Sequence, residues 1–80
     1  MLTVDVYMPN FSTLDFTMET GFITEWLKND GEHVEKDEPL LVVETAKVAI
    51  EVKSLASGIL KILKPKGTEA DVGEKIATIS

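Results

Sequence analysis

Leu40-Leu41-Val42-Val43-Glu44-Thr45-Ala46-Lys47-Val48-Ala49-Ile50-Glu51-Val52-Lys53 contains two strand-like runs joined by a short connection. Residues 48–53 alternate apolar and polar with a period of two, the pattern of a half-buried strand. Residues 40–44 form an apolar run behind Pro39, which suits a strand's first residue. So short a connection makes a hairpin, with Ala46-Lys47 in its tight turn. Strand signals continue outward on both sides. Residues 2–8 alternate and stop at Pro9, 22–27 end at Asn29-Asp30-Gly31, 59–63 lead into Pro65-Lys66-Gly67, and 75–79 follow. No window of ~10 residues carries the three- and four-residue apolar spacing of a helix. The chain is expected to be all-β.

The hairpin is also the junction of an internal repeat. A displacement of 36 residues, from Ile23 to Ile59, also lays Leu27 on Leu63, Lys28 on Lys64, Gly31 on Gly67 and Glu38 on Glu74. Apolar sites coincide at Trp26/Ile62, Val34/Ala70, Leu40/Ile76 and Val43/Ile79. Upstream, Val4-Asp5-Val6 matches Ile50-Glu51-Val52, so the first half carries extra residues around 10–20. Quasi-repeats over about 4–43 and 48–80 imply a flattened β-sandwich of two four-stranded antiparallel sheets related by a pseudo-two-fold axis. Val43 corresponds to Ile79, so the hairpin takes the place that the chain ends take in the other half. Lys47 is therefore expected to project from the end of the sandwich opposite the termini.

Composition narrows the function. Eighty residues make a single domain, and 44% apolar content is enough for one core. With no cysteine, neither a disulfide framework nor a thiolate site can form, and a lone histidine, His33, excludes a multi-histidine metal site. His33 and the acids Glu32, Glu35, Asp37 and Glu38 read as a solvated face, and no metal is expected. The net charge of −6, with eight lysines and no arginine, repels phosphate backbones and anionic lipid, so neither nucleic acid nor a membrane is an expected partner. No apolar run reaches the ~18 to 20 residues of a membrane span, and no leader-like segment precedes the first strand, so the expected location is cytoplasmic. A free-standing enzyme would need a pocket with convergent polar groups that this pattern does not supply, so no catalytic residue is assigned.

Met8-Pro9, Thr17-Met18-Glu19-Thr20-Gly21, Trp26, Gly31, Val34, Glu44-Thr45-Ala46-Lys47, Ala56-Ser57-Gly58 and Val72-Gly73 together resemble the biotinyl/lipoyl carrier domain. The resemblance spans residues 4–79. It is nearest to the lipoyl domain of the acyltransferase component of 2-oxo acid dehydrogenase complexes. It implies the hammerhead barrel-sandwich fold and a swinging-arm function, with lipoic acid attached covalently to Lys47. That arm would shuttle acyl groups and reducing equivalents. Its implied partners are a lipoate ligase or lipoyl transferase, a thiamine-dependent 2-oxo acid decarboxylase, an acyltransferase core and dihydrolipoamide dehydrogenase. The domain would be monomeric when isolated, not an enzyme by itself, and the N-terminal piece of a longer dihydrolipoamide acyltransferase. Biotin on the same lysine, or an unmodified interaction domain of the same fold, are the alternatives.

Two features depart from the family pattern. Ala46 and Val48 flank the lysine where lipoyl domains have aspartate and alanine, and biotin carriers have methionine on both sides. The loop before Met18 is stretched and unusually apolar at Phe11, Leu14 and Phe16. Those three side chains either cap the core or touch a partner; partner contact is the expectation, alongside recognition through Glu44, Thr45, Ala46 and Val48.

Overall fold

Eight strands and no helix are present among residues 3–10 and 20–80, which the computed structural model describes. They are β1 (Val4–Tyr7), β2 (Thr20–Trp26), β3 (His33–Val34), β4 (Pro39–Glu44), β5 (Ala49–Lys53), β6 (Gly58–Ile62), β7 (Glu69–Asp71) and β8 (Lys75–Ile79). One sheet has the order β1-β8-β6-β3 and the other β5-β4-β2-β7, with all pairings antiparallel. Exchanging β1 with β5, β2 with β6, β3 with β7 and β4 with β8 turns one order into the other. The expected sandwich and its pseudo-two-fold axis are therefore present.

The repeat extends to individual bonds. Glu25 pairs with Val42 and Trp26 with Leu41, while their counterparts Lys61 and Ile62 pair with Thr78 and Ala77. Lys28 Nζ lies 2.9 Å from Glu38, and Lys64 Nζ lies 2.8 Å from Glu74. Ser54 donates its N–H to Glu38 O and accepts from Asp37, and Met8 stands in the same relation to Glu74 and Gly73. Inward-facing positions supply one core, in which Ile23, Val34, Leu40, Leu41, Val43, Leu60, Ile76 and Ala77 are fully buried. Trp26 packs against that core and donates its indole N–H to the Lys64 carbonyl at 2.9 Å.

Three details differ from the sequence expectation. Strands β3 and β7 span too few residues to show a period, though both fall at the repeat offset. Asp37 has a φ of 72° where the other half has Gly73 at 85°. Aspartate is among the few side chains that tolerate this left-handed conformation. The third concerns Ile23 and Ile59, which are not equivalent. Ile23 is fully buried and pairs with Val43, whereas Ile59 is exposed and Leu60 takes the buried place opposite Ile79. A bulge in β2 between Ile23 and Glu25 explains this. Thr24 is the inserted residue; its hydroxyl is buried without a hydrogen-bond partner, and below it the repeat offset grows by one.

Gly58 shows how closely β6 meets the residue after β8. Its φ is 157°, and a Cβ there would lie 2.8 Å from the Ser80 carbonyl oxygen, whereas one on Gly67 would meet open space. Gly67→Ala is expected to cost about 1–2 kcal/mol through backbone strain alone. Gly58→Ala should cost roughly 3 kcal/mol, near the top of the usual range for single substitutions. Urea midpoints would check this order. The two repeated ion pairs make a second prediction. The Lys28 ammonium, helped by the Glu35 N–H, holds the Glu38 carboxyl below its ordinary range, and Lys64 with the Asp71 N–H does the same for Glu74. Carboxyls lowered in the folded state stabilise it fully at neutral pH. That contribution fades as pH falls below about 4.3, the unfolded glutamate value, and through the lower folded values. Glu38→Gln/Glu74→Gln should flatten the acid side of the stability–pH curve while leaving its shape above pH 6 unchanged.

Candidate functional site

The β4–β5 connection is the one direct hairpin between neighbouring strands among the described residues. Its last ladder pair is Glu44 with Ala49, and residues 45–48 form the turn. Two-residue hairpin turns ordinarily need positive φ at their centre. Neither Ala46 nor Lys47 has it; Asp37 alone does among the described non-glycine residues. Thr45 supplies the closure instead. Its N–H donates to the Val48 carbonyl at 2.8 Å, and its Oγ1 accepts the N–H groups of both Lys47 and Val48 at 3.2 Å. The hydroxyl thus takes the part that a carbonyl plays in a two-residue hairpin.

The expected site residues on this hairpin come together. Ala46 and Lys47 are exposed, and Val48 is half-buried against the core. Val48 anchors the return strand, so the turn projects from a fixed base. Glu44 is exposed, with Phe22 on the neighbouring strand paired to it. Phe11, Leu14 and Phe16 lie outside the described residues.

A recess of about 250 Å³ opens beside the turn, lined by Thr20, Gly21, Phe22, Glu44, Thr45, Ala46 and Glu69. Phe22 lies between Glu44 and Glu69 in the strand order, paired to each. Sequence reasoning missed Phe22 and Glu69 as neighbours of the hairpin. The link between them runs through β7, whose three residues carry no strand signal, although the repeat places Glu69 opposite His33.

Chemically, the arrangement offers an exposed primary amine on a clamped turn. Such a lysine can be acylated and can then carry what is attached. If Thr45 Oγ1 holds the turn, Thr45→Val should speed amide hydrogen exchange at Lys47 and Val48. It should lower stability by about 0.5–1.5 kcal/mol, the net value of a hydrogen bond. Thr45→Ser should leave both unchanged.

Known proteins of this kind share the sequence and the fold. The profile of the biotin-requiring enzyme family, covering biotinyl and lipoyl domains, matches residues 4–79. The dihydrolipoyllysine-residue succinyltransferase component of the 2-oxoglutarate dehydrogenase complex of Bacillus subtilis is 45% identical over 65 residues, 80% of this chain and 16% of that protein. The dihydrolipoyllysine-residue acetyltransferase component of the pyruvate dehydrogenase complex of Corynebacterium glutamicum is 46% identical over 76 residues, 94% of this chain and 11% of that protein. This chain thus spans a small part of the length of either relative. Among solved structures, the lipoyl domain of the 2-oxoglutarate dehydrogenase complex of Azotobacter vinelandii superposes with a TM-score of 0.77 at 31% identity, covering 96% of this chain and 95% of that one. With its repeated sandwich, its hairpin lysine and these relatives, the chain belongs to the biotinyl/lipoyl domain family, as a lipoyl domain of the kind found in 2-oxo acid dehydrogenase acyltransferases.

Proposed function

We propose that Lys47 is the lipoyl attachment site and that this domain is the swinging arm of a cytoplasmic dihydrolipoamide acyltransferase. The observation that carries the proposal is the exposed lysine on a turn closed by Thr45 and anchored through Val48. The chemistry of the position fits the group. An ε-amine forms an amide with a carboxylic acid, and the four-carbon stem adds reach and flexibility. When bound, the lipoyl group supplies a redox-active disulfide that can take up an acyl group with two electrons.

The remaining work belongs to the chain's own residues. Thr45 keeps the turn in one conformation, so a ligase meets Lys47 at a defined height above the sandwich. The Glu44–Ala49 pair and Val48 keep the base of the arm from fraying. Tethering raises the arm's effective concentration at each active site it serves. Those sites are a thiamine-dependent 2-oxo acid decarboxylase, the acyltransferase core and dihydrolipoamide dehydrogenase. Relatives that are acyltransferase components of such complexes support this list. The domain itself performs no catalysis and is monomeric when isolated.

Intact mass tests the assignment. After co-expression with a lipoate ligase and lipoate, the domain should gain one lipoyl group, and Lys47→Arg should gain none while remaining folded. Modification that persists in Lys47→Arg would move the site to another lysine. Uptake of biotin in place of lipoate, with a biotin ligase supplied, would favour the biotin-carrier alternative.

A further inference from the structure

The pseudo-two-fold axis provides an internal control for the surface. Equivalent positions on the outer faces of the two sheets share a backbone environment, so their differences are not imposed by the fold. On the β5-β4-β2-β7 sheet, the strand pairings align Glu44, Phe22 and Glu69 in one row and Glu51, Val42 and Glu25 in the next. Their counterparts on the β1-β8-β6-β3 sheet are Ser80, Ile59 and His33, then Asp5, Thr78 and Lys61. Phe22 and Ile59 are both exposed, at 42% and 46%, so each face has an apolar centre. The difference is charge. Glu25 stands where the other face has Lys61, Glu69 where it has His33, and Glu44 where it has Ser80.

These glutamates are also without an ion pair among the described residues, and Lys53, exposed beyond Glu51 on β5, is the cation that shares their face. Asp5 on the second face lies 3.7 Å from Lys75, whereas Glu25, Glu44, Glu51 and Glu69 have no ion pair with any described residue. Glu44 and Glu69 are two strand spacings apart, about 10 Å. That exceeds the Debye length of about 8 Å at physiological ionic strength, so their mutual repulsion is mostly screened there, and their fields overlap at low salt, where the Debye length reaches about 30 Å. Like charges gathered on a sheet face disfavour the folded state slightly, and Lys61 demonstrates that the fold accepts the opposite sign in Glu25's place.

We infer that the outer face of the β5-β4-β2-β7 sheet is the docking face for a protein partner whose contact surface is basic around a shallow apolar patch. Glu25, Glu51 and Glu69 steer it, and Phe22 with the adjoining recess receives the apolar contact. Two observations on the molecule favour this occupant: exposed glutamates without an ion pair among the described residues, which a basic surface would complement, and continuity of the face with the hairpin through Glu44, Thr45 and Ala46, which line the recess. A partner seated there would hold its active site next to Lys47. This assignment rests on the lipoyl-arm proposal and adds which face is presented during acyl transfer.

The test compares two variants with the same change in net charge on opposite faces. Glu25→Gln/Glu69→Gln removes two negative charges from the proposed docking face, while Ile59→Lys/Thr78→Lys adds two positive charges to the other. Both are lipoylated and used as substrates of the source organism's own thiamine-dependent 2-oxo acid decarboxylase. Initial rates of reductive acylation are read against domain concentration at low and high salt. The first variant should raise KM roughly tenfold at low salt and flatten the salt dependence, as loss of electrostatic steering does. The second should stay within about twofold of the parent, because net charge alone then has little effect. Equal effects of both variants, or a larger effect of the second, would overturn the face assignment alone. A parent domain that is not lipoylated, or is lipoylated and never acylated, would overturn the lipoyl-arm proposal and the face assignment together.

Discussion

Chain crossing between the two sheets is the constraint on which the molecule depends. Every connection between successive strands passes from one sheet to the other, apart from the step from β4 to β5. Neither sheet can therefore be assembled from consecutive segments. Backbone bonds at the crossings hold the arrangement. Gly31 donates its N–H to the Leu60 carbonyl, and Gly67 donates to the Ile23 carbonyl, at 2.7 and 2.8 Å. Each turn leaving one sheet is thus fastened to an inner strand, β6 or β2, of the sheet it enters. Both glycines have φ above 80°, which allows a turn this tight without strain.

The hairpin stands out because it is exempt from that rule. It joins neighbours directly, so its turn bears none of the crossings and can project as a local device. Thr45 gives the turn its shape through a side chain, leaving the residues at its tip, Ala46 and Lys47, without a backbone requirement for glycine or asparagine. This explains how alanine can stand beside the lysine here. The structural demand falls on Thr45 and Val48, and the tip residues answer to whatever meets them.

Much of this was legible in the sequence because repetition amplifies weak signals. Lys28 with Lys64, Gly31 with Gly67 and Glu38 with Glu74 are unremarkable singly, yet together they disclosed the two-fold arrangement and marked the hairpin as its junction. Three kinds of feature were hidden. Strands of two or three residues, such as β3 and β7, are too short to display alternation. A bulge shifts the register by one residue without any composition signal, and so Ile23 was matched with Ile59 when its true counterpart is Leu60. Contacts across strands, including Phe22 between Glu44 and Glu69, depend on pairings that no local pattern encodes. Asp37 in a left-handed conformation belongs with these, since aspartate is common in exposed turns of every backbone geometry.

The place of β8 has a consequence for how the protein comes into being. β8 lies between β1 and β6 and supplies bonds to both, so the first of these strands has no partner until the last has been made. During synthesis from the ribosome, β1 would wait with an open edge until residues 75–79 had followed it, and the core side chains Val6 and Met8 would lack their cover. The β4–β5 hairpin, by contrast, can close as soon as residue 53 emerges. Pairings so distant in sequence are slow to form, and open strand edges invite contact with other nascent chains. The order of manufacture thus runs against the order of assembly: the arm's mounting is ready early, and the sheet on the other side of the sandwich is completed only once β8 has been made.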